Sequence, residues 1–177
     1  DALFANDGQI TKRPIRALTL SALAPKFGEH LWDLGAGSGS IAIEWLLSHP
    51  SVTATAVEAH PERAMRAAQN ALDLGVDRLE VRTGKSLDLL ADLPTPDVVF
   101  VGGGLSQELL EVVWAAMPIG CRFVTNAVTL ESEAIVAQAH AVKGGELMRI
   151  EIANSKPLGS KRGWSSSYPI VQWSVTR

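Results

Sequence analysis

The residues best suited to chemistry lie in one short stretch, Asp33-Leu34-Gly35-Ala36-Gly37-Ser38-Gly39-Ser40. Its alternating glycines permit unusual backbone angles and let a ligand touch the main chain. Leu31 to Leu34 reads as a buried strand, and Ile41 to Leu47 reads as a helix packed back on it. A strand, a glycine turn and a helix start offer unpaired N–H groups to a nucleotide. The spacing differs from the dinucleotide turn G-x-G-x-x-G, because Ser40 holds the place of its third glycine. Asp33 sets a carboxylate near the turn, which suits positively charged ligand groups. A dinucleotide turn and a purely structural turn are the competing readings.

Glu58 ends a second strand about twenty residues after the turn, where an acid can accept both ribose hydroxyls. A surface glutamate near the start of the next helix has the same placement. Ala59 belongs to the same contact set. Gly84-Lys85-Ser86 follows a third strand, and Ser86 suits either a ligand contact or a helix cap. Gly102-Gly103-Gly104 follows a fourth strand and leaves room for a bulky substrate, or is a flexible loop. Asn126 ends a fifth strand and joins the glycines as a substrate-side residue. Lys156, Lys161, Arg162 and Trp164 share a Gly/Ser-rich loop that suits a flat ligand with several carboxylates, or is a solvated tip. The four histidines lack metal-ligand spacing, so no metal site is expected. Cys121 lies in an apolar run and reads as a buried, inert thiol.

These groups need strands that end together. Val52 to Val57, Leu79 to Arg82, Val98 to Val101 and Cys121 to Val124 read as strands two to five. Helical patterns lie between them. Thr11 suits the N-cap of a first helix with Ile15, Leu18, Ala22 and Leu23 on its apolar face. The helix after Glu58 carries Ala64, Met65, Ala67, Ala68, Ala71 and Leu72 on its apolar face. Glu146 to Ile152 and Ile170 to Val175 read as two last strands joined by a long loop. Strands alternating with helices imply an α/β fold with a mostly parallel sheet covered on both faces. The last pair, with no helix between, reads as an edge hairpin with an antiparallel last strand. Ligands bind beyond the carboxyl ends of such strands, so Gly35, Glu58, Gly84, Gly102 and Asn126 should meet in one crevice.

The 177 residues suit one domain, with an arm and helix over 1–28, a nucleotide-binding core over 29–145 and a C-terminal hairpin over 146–177. The net charge of −3 gives no basic footprint, so no nucleic acid is expected. No stretch is apolar and long enough to span a membrane. One cysteine excludes an intrachain disulfide, and a cytoplasmic setting is expected.

The pattern Asp33-x-Gly35-x-Gly37-x-Gly39 resembles the first motif of the class I S-adenosylmethionine (SAM) methyltransferases. With Gly8 to Lys12, Leu31 to Glu44, Val101 to Gly104 and Asn126-Ala127-Val128-Thr129-Leu130-Glu131, the chain resembles the decarboxylating precorrin methyltransferases of cobalamin biosynthesis. The resemblance covers nearly the whole chain. It implies the Rossmann-like seven-stranded methyltransferase fold and SAM as cofactor. It implies methylation at carbon 15 of a precorrin with loss of CO2 from the ring C acetate. Thr11, Gly35 to Gly39, Glu58 and Gly84 to Ser86 are carried over as SAM contacts, the last turn beside the adenine. It also implies a tetrapyrrole substrate and a homo-oligomer, a tetramer. A start at Asp1 fits a domain excised from a two-domain enzyme with a second methyltransferase domain. An RNA methyltransferase acting on a tRNA base is the alternative, disfavoured by the sequence pI of 5.8. A nucleotide-binding module without catalysis is the other.

Overall fold

The computed structural model describes residues 1–177. After an irregular arm come α1 (Arg13–Leu23), β1 (His30–Leu34), α2 (Ser40–Ser48), β2 (Thr53–Glu58), α3 (Pro61–Asp73), β3 (Glu80–Thr83) and α4 (Ser86–Leu89). Then come β4 (Val98–Val101), α5 (Gln107–Ala116), β5 (Arg122–Ala127), α6 (Leu130–Lys143), β6 (Glu146–Ile150), β7 (Ala153–Leu158), β8 (Lys161–Ser166) and β9 (Ile170–Thr176). Seven strands form one sheet in the order β3-β2-β1-β4-β5-β9-β6. β1 to β5 are parallel, and β9 is antiparallel to both β5 and β6. This is the expected fold, with β9 inserted so that β6 forms the edge. No helix is long and apolar enough to cross a membrane.

The sheet is buried on both sides because its strands alternate two apolar faces. Leu31, Val98, Phe100 and Val124 point to one core with Ile43, Trp45 and Leu46 of α2. Trp32, Val99, Val101 and Phe123 point to the other with Leu110 and Val113 of α5. Trp173 of β9 is fully buried there, tilted against Phe123 and stacked on Trp114. Its indole nitrogen donates to the Gly144 carbonyl at 2.9 Å.

Four readings of the sequence need correction. Thr11 does not cap α1: the cap position is Lys12, with no side-chain bond and Pro14 in the first turn. The buried face of α1 is Ile15, Arg16, Thr19 and Leu23, while Leu18 is exposed. On α3, Met65 and Leu72 face solvent and Asn70 takes a buried place. Arg16 of α1 and Asn70 of α3 are buried because the N-terminal arm packs over both helices and its polar groups must be hydrogen-bonded. Asn70 accepts from the Ala5 amide at 2.8 Å and donates to the carbonyls of Ala5 and Ser38. Arg16 donates to Glu44, Asp1 and the Thr11 carbonyl, each at 2.6 Å, and its guanidinium lies over the Phe4 ring. The loop before β9 is not structureless, since β7 and β8 pair as a separate two-stranded sheet. Its strands are almost wholly exposed, and their few apolar residues do not alternate with polar ones, so no strand pattern betrays them.

Candidate functional site

Strand order reverses between β1 and β4, and a cleft of about 770 Å³ opens there beyond the carboxyl ends of the strands. The β1–α2 turn is its floor. The amides of Gly35 and Ala36 both donate to the Val57 carbonyl, at 2.8 and 3.1 Å. Gly35, Gly37 and Gly39 all have positive φ, which explains their alternation. Gly35 is also a packing position. A Cβ there would lie 2.8 Å from the Gly103 nitrogen and closer still to its carbonyl oxygen. The triple glycine therefore lets the loops after β1 and β4 touch, as well as leaving space at Gly104. A Cβ on Gly37 would meet only the Gln9 carbonyl at 3.8 Å, so that glycine opens onto free space.

Glu58 holds the turn. Its carboxylate, 5% exposed, accepts from the Gly37 amide at 2.8 Å through one oxygen. The other oxygen accepts from the His60 amide at 2.9 Å, ahead of α3. Each carboxylate oxygen has a second lone pair left for a ligand hydroxyl. Glu58 thus lines the cleft and braces the next helix start, and it is buried where a surface glutamate was the competing reading.

Thr11, Gly35, Ala36, Gly37, Ser38, Glu58, Ala59, Lys85, Ser86, Gly102, Gly103, Gly104 and Asn126 all line this one cleft. The other expected residues do not. Gly39 packs against Ala67 of α3, where a Cβ would be 3.0 Å away. Gly84 is turned toward Leu89 and donates its amide to the Glu58 carbonyl at 2.9 Å. Lys156, Lys161, Arg162 and Trp164 belong to the β7–β8 sheet, which has no hydrogen bond to the main sheet, and Trp164 is 80% exposed. The cations at the cleft are instead Lys12, Arg63 and Lys85. Arg63 is bonded to Asp7 of the arm at 2.8 Å, and that bond holds the Asp7 carboxyl below its usual range. Ile10 and Lys12 reach the cleft because the arm folds over it, while Arg63 reaches it from the first turn of α3. Sequence periodicity carries no signal for such a placement; Gly8 to Lys12 is marked only by the family resemblance.

Asp33 is the largest departure. It is 1% exposed, lies beneath the turn and does not line the cleft. One oxygen accepts from the Ala42 amide of α2 at 3.1 Å, and the other, Oδ1, has no partner. The carboxyl braces a helix start and does not face a ligand.

The site fits SAM by the chemistry of its donors and its space. Glu58 has spare lone pairs for ribose, the Gly35 to Ser38 main chain is open to a small polar end, and Lys85 and Ser86 lie beyond β3 on the same side.

A family model described as a precorrin methyltransferase domain matches residues 2–177. The chain belongs to this family. A precorrin-6Y C(5,15)-methyltransferase (decarboxylating) from Sinorhizobium sp is 51% identical over all of the chain and 43% of the relative. The chain thus spans less than half of that relative's length. A cobalt-precorrin-6B C(15)-methyltransferase (decarboxylating) from Salmonella typhi is 28% identical over 96% of the chain and 91% of its own length. The crystal structure of the C-terminal domain of precorrin-6Y C5,15-methyltransferase from Rhodobacter capsulatus superposes with a TM-score of 0.96 at 49% identity, covering 100% of this chain and 96% of that one.

In this precorrin methyltransferase domain Asp33 should make stability depend on pH. Burial dominates; it outweighs the Ala42 hydrogen bond, which lowers the value, and with a smaller push from the Glu58 charge raises the carboxyl to about 7, from 3.8 when free. The folded state therefore binds the proton more tightly than the unfolded state. The stability that the neutral acid contributes is full below pH 3.8 and is lost as pH rises through about 7. Asp33→Asn cannot ionise. Its unfolding free energy in urea, relative to wild type, should rise between pH 3.8 and about pH 7 and level off above. A constant difference would show that Asp33 stays ionised throughout.

Proposed function

We propose that the chain binds SAM in this cleft and catalyses methylation at carbon 15 of a precorrin-type tetrapyrrole, with loss of the ring C acetate carboxyl as CO2. The observation that carries the proposal is the meeting of the Gly35–Ser38 turn, Glu58 and the Lys85–Ser86 turn in one cleft, continuous with Gly102 to Gly104 and Asn126. Family membership supports a precorrin as the substrate class for that cleft. The Salmonella typhi relative, nearly all of which the chain covers, is named for C15 alone. The Sinorhizobium relative, named for C5 and C15, has more than half its length outside the match. That arithmetic supports assigning the C15 step to this chain and C5 to a second, fused domain.

Glu58 would hold the ribose hydroxyls, the turn would hold the amino acid end, and Lys85 and Ser86 would flank the adenine. When bound, SAM supplies an electrophilic methyl group. Glu58 is the only carboxylate lining the cleft, and the acceptor side holds Gly102, Gly103, Gly104, Ser106 and Asn126. An electron-rich tetrapyrrole carbon needs no strong base to take a methyl group. The chain's part is then to position the carbon and exclude water. Decarboxylation would draw on the conjugated macrocycle as electron sink.

The proposal includes a homo-oligomer in a cytoplasmic setting. The β7–β8 hairpin stands apart with Leu158, Trp164 and Tyr168 beside it at 70%, 80% and 89% exposed. An isolated two-stranded hairpin is marginal in water, so a second copy covering it is the reading that stabilises it. Sedimentation should give a tetramer; a monomer would remove this part.

The reaction is tested by incubating the chain with SAM and cobalt-precorrin-6B and reading product mass. A gain of one methylene and a loss of CO2 are expected. Methyl gain with the carboxyl retained would overturn the decarboxylation. No change in mass despite SAM binding would leave a binding module.

A further inference from the structure

Thr19, Asn126 and Gln172 form a polar cluster behind the acceptor half of the cleft. Thr19 of α1 is fully buried, and Gln172 of β9 is 3% exposed. Gln172 is the cross-strand partner of Asn126. The Thr19 hydroxyl donates to the Ile15 carbonyl at 2.8 Å. With its only hydrogen used, that oxygen can do nothing further but accept.

Two amide nitrogens reach it. Asn126 Nδ2 lies at 2.9 Å and Gln172 Nε2 at 3.2 Å. Gln172 Nε2 also donates to Asn126 Oδ1 at 2.9 Å. With the Thr19 hydrogen on the Ile15 carbonyl, both amide orientations follow: Gln172 uses both of its N–H donors, and Asn126 has its oxygen occupied. Turning the Asn126 amide over would require the Thr19 hydroxyl to leave the Ile15 carbonyl and Gln172 to turn with it. One hydrogen of Asn126 Nδ2 remains without an acceptor on the protein. Asn126 itself is half-buried in the cleft wall, with Val128 and Ile170 in the same wall.

We infer that Thr19 and Gln172 are positioning residues that fix Asn126 with one amide N–H presented to the acceptor half of the cleft, where it donates to a carboxylate of the bound tetrapyrrole. The inference rests on the proposed function. The cluster turns an ambivalent side chain into a donor, with its polarity set from the α1 main chain outward. A donor suits a substrate rich in acetate and propionate groups, because a charged acceptor makes the stronger bond. Lys12 lines the same cleft and adds a positive charge without a fixed direction. The cluster also explains why α1 buries a threonine on its apolar face.

The test is binding of cobalt-precorrin-6B, followed by its absorbance, with SAM affinity measured on the same samples by calorimetry. Asn126→Asp puts an acceptor where the donor stood. It should weaken tetrapyrrole binding on the order of tenfold or more, with SAM affinity unchanged. Thr19→Val removes the common acceptor and should also weaken tetrapyrrole binding. Thr19→Ser, which keeps the hydroxyl, should restore it. A merely structural Thr19 would lower the melting temperature of Thr19→Val and leave tetrapyrrole affinity unmoved, which would overturn its positioning role. Wild-type affinity in Asn126→Asp would overturn the whole inference, and this exposed-side variant decides the matter if Thr19→Val does not fold. Tetrapyrrole binding by wild type without turnover would overturn the proposed reaction alone. No tetrapyrrole binding by wild type would overturn both.

Discussion

One carboxylate at the end of β2 fixes the shape of the cleft. Glu58 accepts from the Gly37 amide on one side and the His60 amide on the other. It joins the glycine turn to the start of α3 in a site that is nearly closed to water. A charge-assisted bond to a main-chain amide is among the stronger hydrogen bonds a fold can make. The turn has almost no side chains to hold it otherwise. Across the turn, the absence of a side chain at Gly35 lets the loop after β4 settle against it. Floor and back wall are therefore set before any ligand arrives, which is the condition for catalysis by positioning.

The fold accepts costs elsewhere to keep this arrangement. Asp33 is buried with one oxygen unpartnered while it braces Ala42. Burying such a group is unfavourable unless it is neutral or paired. Arg16 and Asn70 are buried to anchor an arm that has little apolar surface beyond Phe4. Single buried polar residues thus do the work of a larger core, tying the arm, the glycine turn and α3 together through Asn70. One edge of the cleft is made in part by this arm, through Gln9 to Lys12.

Much of the sheet was legible in the sequence because β1, β4 and β5 carry apolar runs bounded by glycine or asparagine. The place of the cleft follows from the reversal between β1 and β4, where the chain returns to the other side of β1 after β3. Glu58 was legible by its position at a strand end. Less legible were groups whose role depends on what lies above them. Asp33 and Glu58 are both acids near the turn, and only packing tells that one lies beneath it and the other beside it. Gly35 and Gly37 look alike in sequence, yet one meets a backbone and the other open space. The cations of 156–162 looked like a clamp because they cluster in sequence. The hairpin carries them away from the cleft, while Lys12, Arg63 and Lys85, far apart in sequence, reach it.

Glu58 shapes the turn, and under the proposed function it also takes the ribose of SAM. The most direct test is a calorimetric titration of SAM into wild type and into Glu58→Ala, with circular dichroism to confirm that both are folded. Hydrogen bonds to charged groups contribute about 1.5–3 kcal/mol, so the variant should bind roughly ten- to a hundredfold more weakly than a wild type that takes one SAM per chain. The same dissociation constant in both folded proteins would contradict the account and place the SAM site elsewhere.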